Sequence, residues 1–180
     1  MRRHPAPVIA LAALAALLGA GCGSSRSDAC PGETIGAFAL SGTRNLAPDP
    51  EAPAIPACPA ETGYGDAPIS FFGTLSSDSE TSGAAFCSGR PLAATLFGQR
   101  SGDAVDVEAT TRGAVLGGCG PTCSAELTVI LRGTVLRDGG GVATGFAGTY
   151  IERMSRHEGD CGACPLPCDA RYDVTGALAP

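Results

Sequence analysis

The sequence contains no tryptophan and no lysine, and aromatic residues fill only 5% of its 180 positions. Asparagine and glutamine occur once each, as Asn45 and Gln99. Sugar-binding sites stack their ligand on aromatic rings, so this composition argues against a carbohydrate-binding protein. Twelve arginines without a lysine are typical of a GC-rich genome, and we attach no mechanism to them.

The sequence also lacks the short motifs of common enzymes. It holds no Gly-x-Ser-x-Gly, no His-Glu-x-x-His and no glycine-rich phosphate loop. After residue 21 the one histidine is His157, in a predicted loop, so a Ser-His or Cys-His mechanism would depend on it. Asp106 and Glu108 share a predicted strand face about 7 Å apart, the spacing of some glycosidase carboxylates. A hydrolase using His157 or this acidic pair is therefore an alternative. We predict instead a protein that is not an enzyme and needs no cofactor or metal.

No apolar run reaches the roughly 20 residues that a membrane-spanning helix needs. The longest, residues 8–18, has eleven and follows the basic residues Arg2 and Arg3. Small residues come next, at positions 19–21, and then Cys22. This order predicts a secretory signal peptide over residues 1–21.

The segment Leu18-Gly19-Ala20-Gly21-Cys22 resembles the lipobox of bacterial lipoprotein precursors, with Gly19 where that family usually has leucine. The resemblance implies cleavage before Cys22 and attachment of lipid to its sulfur. Gly23 at the next position implies export to the bacterial cell envelope with an outer-membrane destination. The alternative is an ordinary secretory signal, which leaves Cys22 as one more thiol. With a lipid anchor, residues 22–33 form a flexible tether to a membrane partner.

The chain without residues 1–21 is acidic. Ten arginines remain against 18 acidic residues, which gives a net charge of −8. Such a surface repels phosphate backbones, so no nucleic-acid partner is expected.

The remainder predicts a single all-β domain over residues 34–180. Apolar and polar residues alternate with period two over residues 34–44, 69–75, 84–87, 92–97, 104–110, 125–137, 142–153 and 170–178. No convincing helical period occurs, and a proline-rich excursion over residues 45–68 interrupts the strands. We predict an antiparallel meander of seven or eight strands closed into a small barrel, with a two-sheet sandwich as the alternative. Gly133, Gly145 and Gly148 are expected at the bends of the long strands.

Gly36-Ala37-Phe38 and Arg171 are similar to the first-strand Gly-x-aromatic and last-strand Arg of lipocalins, with Phe38 in place of tryptophan. The inward face mixes small and aliphatic residues with few large aromatics. It would therefore suit either a small apolar ligand or a filled core that serves as a structural or protein-interaction module.

Nine cysteines are an odd number, and assigning Cys22 to lipid leaves eight that can form four disulfides. The eight are Cys30, Cys58, Cys87, Cys119, Cys123, Cys161, Cys164 and Cys168. We expect Cys119 to pair with Cys123 and Cys30 with Cys58. One alternative is a zinc site formed by His157, Cys161, Cys164 and Cys168; another is redox chemistry at Cys161 and Cys164. The loops at 119–123 and 161–168 resemble each other, which favours two stapled hairpin loops over an internal repeat.

Together these patterns predict a lipid-anchored cell-envelope protein. Its disulfide-stapled barrel would bind or scaffold, with a small apolar ligand or an envelope protein as its partner.

Overall fold

Eight antiparallel strands close into one barrel in which each strand pairs with its neighbours in sequence. The structure is a computed structural model, and it describes residues 30–63, 68–88, 94–116, 118–162 and 164–179. The strands are β1 (Glu33–Asn45), β2 (Ile69–Ser77), β3 (Gly83–Ser88), β4 (Ala94–Ser101), β5 (Ala104–Val115), β6 (Ser124–Arg137), β7 (Ala143–Glu158) and β8 (Cys168–Leu178). Closure comes from β8, which pairs back onto β1 from Phe38 opposite Leu178 to Asn45 opposite Arg171. The predicted all-β barrel is thus confirmed, and the sandwich is not formed.

The strands form where period-two alternation predicted them, and they are longer than that pattern. On β6, Leu127, Val129 and Leu131 are buried inside the barrel, as expected from their spacing. β7 continues to Glu158, which pairs with Ser124. Polar residues extend the ladder because main-chain hydrogen bonds do not depend on side-chain hydropathy.

Six aromatic rings are buried in the barrel interior among aliphatic side chains. Phe71 packs with its ring centroid 5.0 Å from Tyr150, which in turn lies 6.4 Å from Tyr172. At the other end of the interior, Phe38 and Phe146 lie 6.1 Å apart. These side chains are all at most 7% exposed. The expectation of an interior with few large aromatics is wrong, because alternation places most of the chain's rings on inward positions.

Glycines make room for these rings and for close strand contact. Gly133 and Gly148 face each other across β6 and β7. A Cβ atom on Gly133 would collide with the carbonyl oxygen of Ala147 and the ring of Phe146. These two glycines therefore permit a close backbone approach, which is one of the roles of glycine inside a strand.

The proline-rich excursion crosses the outside of the barrel after β1 ends. It contains one 3-10 turn, Ala60–Thr62, and otherwise no regular structure in its described part. β1 stops opposite Arg171, so the backbone of Asp169 on β8 has no partner from β1. Ala57 takes that place in a parallel bridge, and the N–H of Cys58 donates to the carbonyl of Asp169 at 2.9 Å. The excursion is thus part of the folded domain.

Among the residues that the structure describes, no helix is long and apolar enough to cross a membrane.

Candidate functional site

All eight candidate cysteines after Cys22 are oxidised in pairs. The bonds are Cys30–Cys87, Cys58–Cys168, Cys119–Cys164 and Cys123–Cys161. The prediction of four disulfides is confirmed. The two preferred pairings, Cys119–Cys123 and Cys30–Cys58, are wrong. Cys22 itself lies outside the described residues.

The reason for the wrong pairings lies in the barrel topology. The β5–β6 loop and the β7–β8 loop emerge at the same end, because β6 and β7 are adjacent antiparallel strands. The two similar cysteine-rich loops therefore lie against each other and bond together in a nested pair, rather than each being closed by its own disulfide. Cys30 is held on the outside of β3, beside Cys87, and not near the proline-rich excursion.

Because these sulfurs form disulfides, they cannot take part in the alternative zinc site or redox pair. Cys161, Cys164 and Cys168 are bonded to three different partners, so none is a thiolate that could bind zinc. Cys161 and Cys164 likewise do not form a redox pair with each other. Within the described part of the chain, no group of three or more His, Cys, Asp or Glu residues is placed to hold a metal ion.

The acidic pair lies on the outer wall of the barrel. Asp106 and Glu108 project from β5 and are exposed, as the strand alternation predicted. Asp106 accepts a hydrogen bond from Nε of Arg132 at 3.3 Å. Asp106 lines a surface depression of about 420 Å³ together with Gln99 and Arg100, and this depression is open to solvent. His157 lies near the end of β7 rather than in a loop, and its side chain is outside the described residues.

One carboxyl group is buried inside the barrel. Glu152 is completely buried on β7, and its Oε1 accepts a hydrogen bond of 3.1 Å from the hydroxyl of Tyr150. Arg44 lies at the same end, with its guanidinium carbon 5.4 Å from the centre of the Tyr172 ring. Nη2 of Arg44 also donates to the carbonyl oxygens of Cys58 and Asp169. Through Arg44 this polar end of the core joins β1 to β8 and to the proline-rich excursion, and alternation alone did not predict it.

Open depressions lie on the surface of the barrel. One has a volume of about 400 Å³ and is lined by residues that include Pro31, Glu33, Asp78, Ala85 and Phe97. Another, of about 460 Å³, lies over β1 and β8 beside Ser41 and Asp173. Both are open to solvent, so neither resembles the enclosed apolar cavity of a ligand-carrying barrel.

Charge is distributed unequally around the outer wall. The outward positions of β5 to β8 carry nine charged residues. These are Asp106, Glu108, Arg112, Glu126, Arg132, Arg153, Asp169, Arg171 and Asp173. The outward positions of β1 to β4 carry none, although the exposed Glu33 at the start of β1 and Asp78 after β2 line the same depression as Phe97. We call this second side the uncharged wall. Its outward positions are Ala37, Ala39, Ser41, Thr43, Ser70, Phe72, Thr74, Ser76, Ala85, Cys87, Thr95, Phe97 and Gln99, of which Ser76 and Ala85 are buried.

No family model, no curated protein and no solved structure matches the chain.

Two aromatic rings are exposed on the uncharged wall. Phe72 is 69% exposed and Phe97 is 59% exposed. Large apolar side chains that project into solvent from a strand are candidates for contact with a partner or a membrane. The sequence contained the necessary signal, because the alternation that turns Phe71 and Leu96 inward turns their neighbours outward.

The described chain begins on this wall. Cys30 is bonded to Cys87, and its sulfur lies 3.3 Å from the carbonyl oxygen of Thr74. The hydroxyl of Ser76 donates to the carbonyl of Pro31. Residues 30–33, which were predicted as the end of a tether, are thus attached to β2 and β3. Any tether from Cys22 ends at Cys30.

Proposed function

We propose that this chain is an exported lipoprotein, anchored to the bacterial outer membrane through Cys22, whose filled barrel is a non-catalytic binding or scaffolding domain. The observation that carries the proposal is the packed interior. Phe38, Phe71, Phe146, Tyr150 and Tyr172 occupy the space where a ligand-carrying barrel would hold its cargo. The surfaces available for interaction are therefore on the outside.

Export is supported by the oxidised cysteines. Four disulfides in one small domain are typical of proteins that fold outside the reducing cytosol. The lipobox-like segment ending at Cys22 agrees with the same compartment and supplies a chemical means of attachment.

A filled core favours the structural or protein-interaction version of this function over the small apolar ligand. A ligand site needs a cavity of roughly 300 Å³ or more that encloses most of the ligand surface. The open depressions at Pro31 and at Ser41 do not enclose a molecule. We therefore propose an envelope protein or the membrane itself as the partner, and no nucleic acid because of the net charge of −8 after residue 21.

The anchor is tested by the mass of the protein. The full chain, expressed in a bacterial host and purified from membranes, should begin at Cys22 and carry the added mass of acyl chains. The Cys22→Ser variant should lack that mass. A wild-type protein of unmodified mass would contradict the anchor.

The filled barrel is tested separately by native mass spectrometry. The purified domain, residues 23–180, should show no small molecule bound in stoichiometric amount. A co-purifying apolar compound would contradict the filled core and would favour a barrel that carries a small apolar ligand.

A further inference from the structure

We propose that the uncharged wall faces the lipid surface, with Phe72 and Phe97 inserted among the headgroups. This inference rests on the proposed lipid at Cys22 and goes beyond it, because an anchor alone does not determine which side of the barrel meets the membrane. Three observations point to this wall: the position of the first described residue, the lack of charge at its outward strand positions, and the exposed rings.

Cys30, the first residue that the structure describes, lies within the wall, between the two rings. Thr74, Cys87 and Thr95 form one row across β2, β3 and β4. Phe72 lies two residues from Thr74 along β2, and Phe97 lies two residues from Thr95 along β4, so each ring is about 7 Å from the row. Phe97 pairs with Ala85, and Ala85 pairs with Ser76, which follows Thr74 along β2. Phe72 instead precedes Thr74, so the two rings lie on opposite sides of the row. The Cys30–Cys87 disulfide therefore holds Cys30 between Phe72 and Phe97.

The segment between the anchor and Cys30 is short. Cys22 and Cys30 are eight residues apart, which span at most about 28 Å when fully extended. Cys30 is attached to the outer side of the barrel, over the middle of β2 and close to the end of β3. The lipid-bearing residue therefore reaches the bilayer by the shortest path when the uncharged wall is turned toward it.

The chemistry of the two sides agrees with this orientation. Moving a charged side chain from water toward hydrocarbon carries a large desolvation penalty, whereas the alanine, serine and threonine side chains of the uncharged wall carry a much smaller one. Exposed phenyl rings gain by leaving water at a membrane interface. The opposite wall, with Arg132, Arg153 and Asp173 among its nine charges, is suited to face solvent.

The charge of the protein also selects the kind of lipid surface. With a net charge of −8, electrostatic attraction to anionic headgroups cannot supply the binding energy. We therefore expect contact with zwitterionic lipid, such as phosphatidylethanolamine, and no increase in contact when phosphatidylglycerol is added.

The absence of tryptophan makes the test direct, since one substitution introduces a single fluorophore. The full-length lipidated variants Phe72→Trp and Phe97→Trp are reconstituted into phosphatidylethanolamine–phosphatidylcholine vesicles whose acyl chains carry bromine near the headgroup. Thr134→Trp is the matched control, because Thr134 is exposed on the outward face of β6 among the charged residues. Acyl mass on Cys22 is measured for each sample.

We expect brominated lipid to reduce the fluorescence of Phe72→Trp and Phe97→Trp by about twofold or more, because rings at the interface lie about 5–10 Å into the headgroup region. Thr134→Trp should be quenched by aqueous iodide and not by lipid. Equal behaviour of the three variants on lipidated protein would overturn the proposed orientation while leaving the anchor intact. Protection of Phe72→Trp only when other envelope proteins are added would also overturn it, in favour of a protein partner. Samples without acyl mass would overturn the anchor and, with it, this inference.

Discussion

Arg153 on β7 donates a hydrogen bond from Nη2 to Oδ2 of Asp49, 3.1 Å away, and so attaches the proline-rich excursion to the barrel wall. The same guanidinium forms a bidentate pair with Asp169 on β8, at 2.9 Å for both bonds. Arg132 on β6 reaches Asp49 at 3.1 Å from the other side. Asp49 is only 3% exposed, so these arginines compensate a carboxylate that would otherwise be buried without a counter-charge.

Replacing Asp49 should lower stability. In the Asp49→Asn variant both arginines lose a charged acceptor, and the excursion loses its attachment to β6 and β7. We expect the free energy of unfolding to fall by about 1 to 3 kcal/mol, the usual effect of removing a partially buried charged hydrogen bond. Urea denaturation of the oxidised protein measures this change.

Asp106→Asn is the matched control for that variant, since Asp106 also pairs with Arg132, at 3.3 Å, but its side chain is 60% exposed. Its effect should stay within about 0.5 kcal/mol, because exposed ion pairs contribute little. Equal losses in the two variants would show that burial of Asp49 does not strengthen its interactions.

The Asp49 carboxyl should also make stability depend on pH. Burial raises its pKa, but the N–H of Glu51 and the charges of Arg132 and Arg153 outweigh burial and hold the pKa below the ordinary value of 3.8. The unfolded chain therefore takes up the proton first as pH falls, and stability decreases. The contribution is complete above about pH 5 and is lost as pH falls through the lower, folded-state pKa. The difference in unfolding free energy between wild type and Asp49→Asn should narrow over that range, and a constant difference would contradict this assignment.

The Cys58–Cys168 bond should contribute more to stability than the inner bond of the nested pair. It joins residues 110 positions apart. In the double variant Cys58→Ala with Cys168→Ala, the free energy of unfolding should fall by about 4 kcal/mol, because the unfolded chain gains conformational entropy. This value allows for the nested bonds, which already shorten the loop between the two positions. Removing Cys123 and Cys161 in the same way should cost only about 2 to 3 kcal/mol, because Cys119–Cys164 still closes almost the same loop. Guanidinium denaturation of both variants measures the order, and the reverse order would contradict the connectivity.

Gly73 on β2 should not tolerate even a methyl group. A Cβ atom there would overlap the ring of Phe86, which is buried at 1% exposure. Gly73→Ala should therefore lower the unfolding free energy by about 1 to 3 kcal/mol, as overpacking does. In the double variant with Phe86→Leu the loss should be smaller than the sum of the two single losses, because the smaller side chain frees the space.

Gly139 in the β6–β7 hairpin supplies the control for that glycine. No atom lies within 4 Å of a Cβ placed there, and its φ is not positive, so Gly139→Ala should leave stability unchanged within about 0.5 kcal/mol. Thermal unfolding followed by circular dichroism suits all four variants: Gly73→Ala, Phe86→Leu, the double variant and Gly139→Ala. Additive losses at Gly73 and Phe86 would contradict the steric explanation.

Sequence reasoning succeeded where structure is local. Alternation on β6 identified Leu127, Val129 and Leu131 as inward, because neighbouring side chains on a strand point to opposite faces whatever the strand pairs with. It did not identify the disulfide partners, because Cys119 and Cys164 are brought together by the pairing of β6 with β7. Asp49 was missed for the same reason, since both arginines that hold it belong to strands more than 80 residues away.

By itself, then, the sequence determined that this chain is a β protein. The period-two alternation of apolar and polar residues can be read directly from the sequence, and the number of cysteines after Cys22 is even. Only the tertiary structure decided which cysteines bond, that aromatic rings pack together in the interior, and that the outward positions of β5 to β8 carry the charged residues that those of β1 to β4 lack. These properties depend on which strands become neighbours in the closed barrel, and that is a relation between residues far apart in the chain, which no local pattern contains.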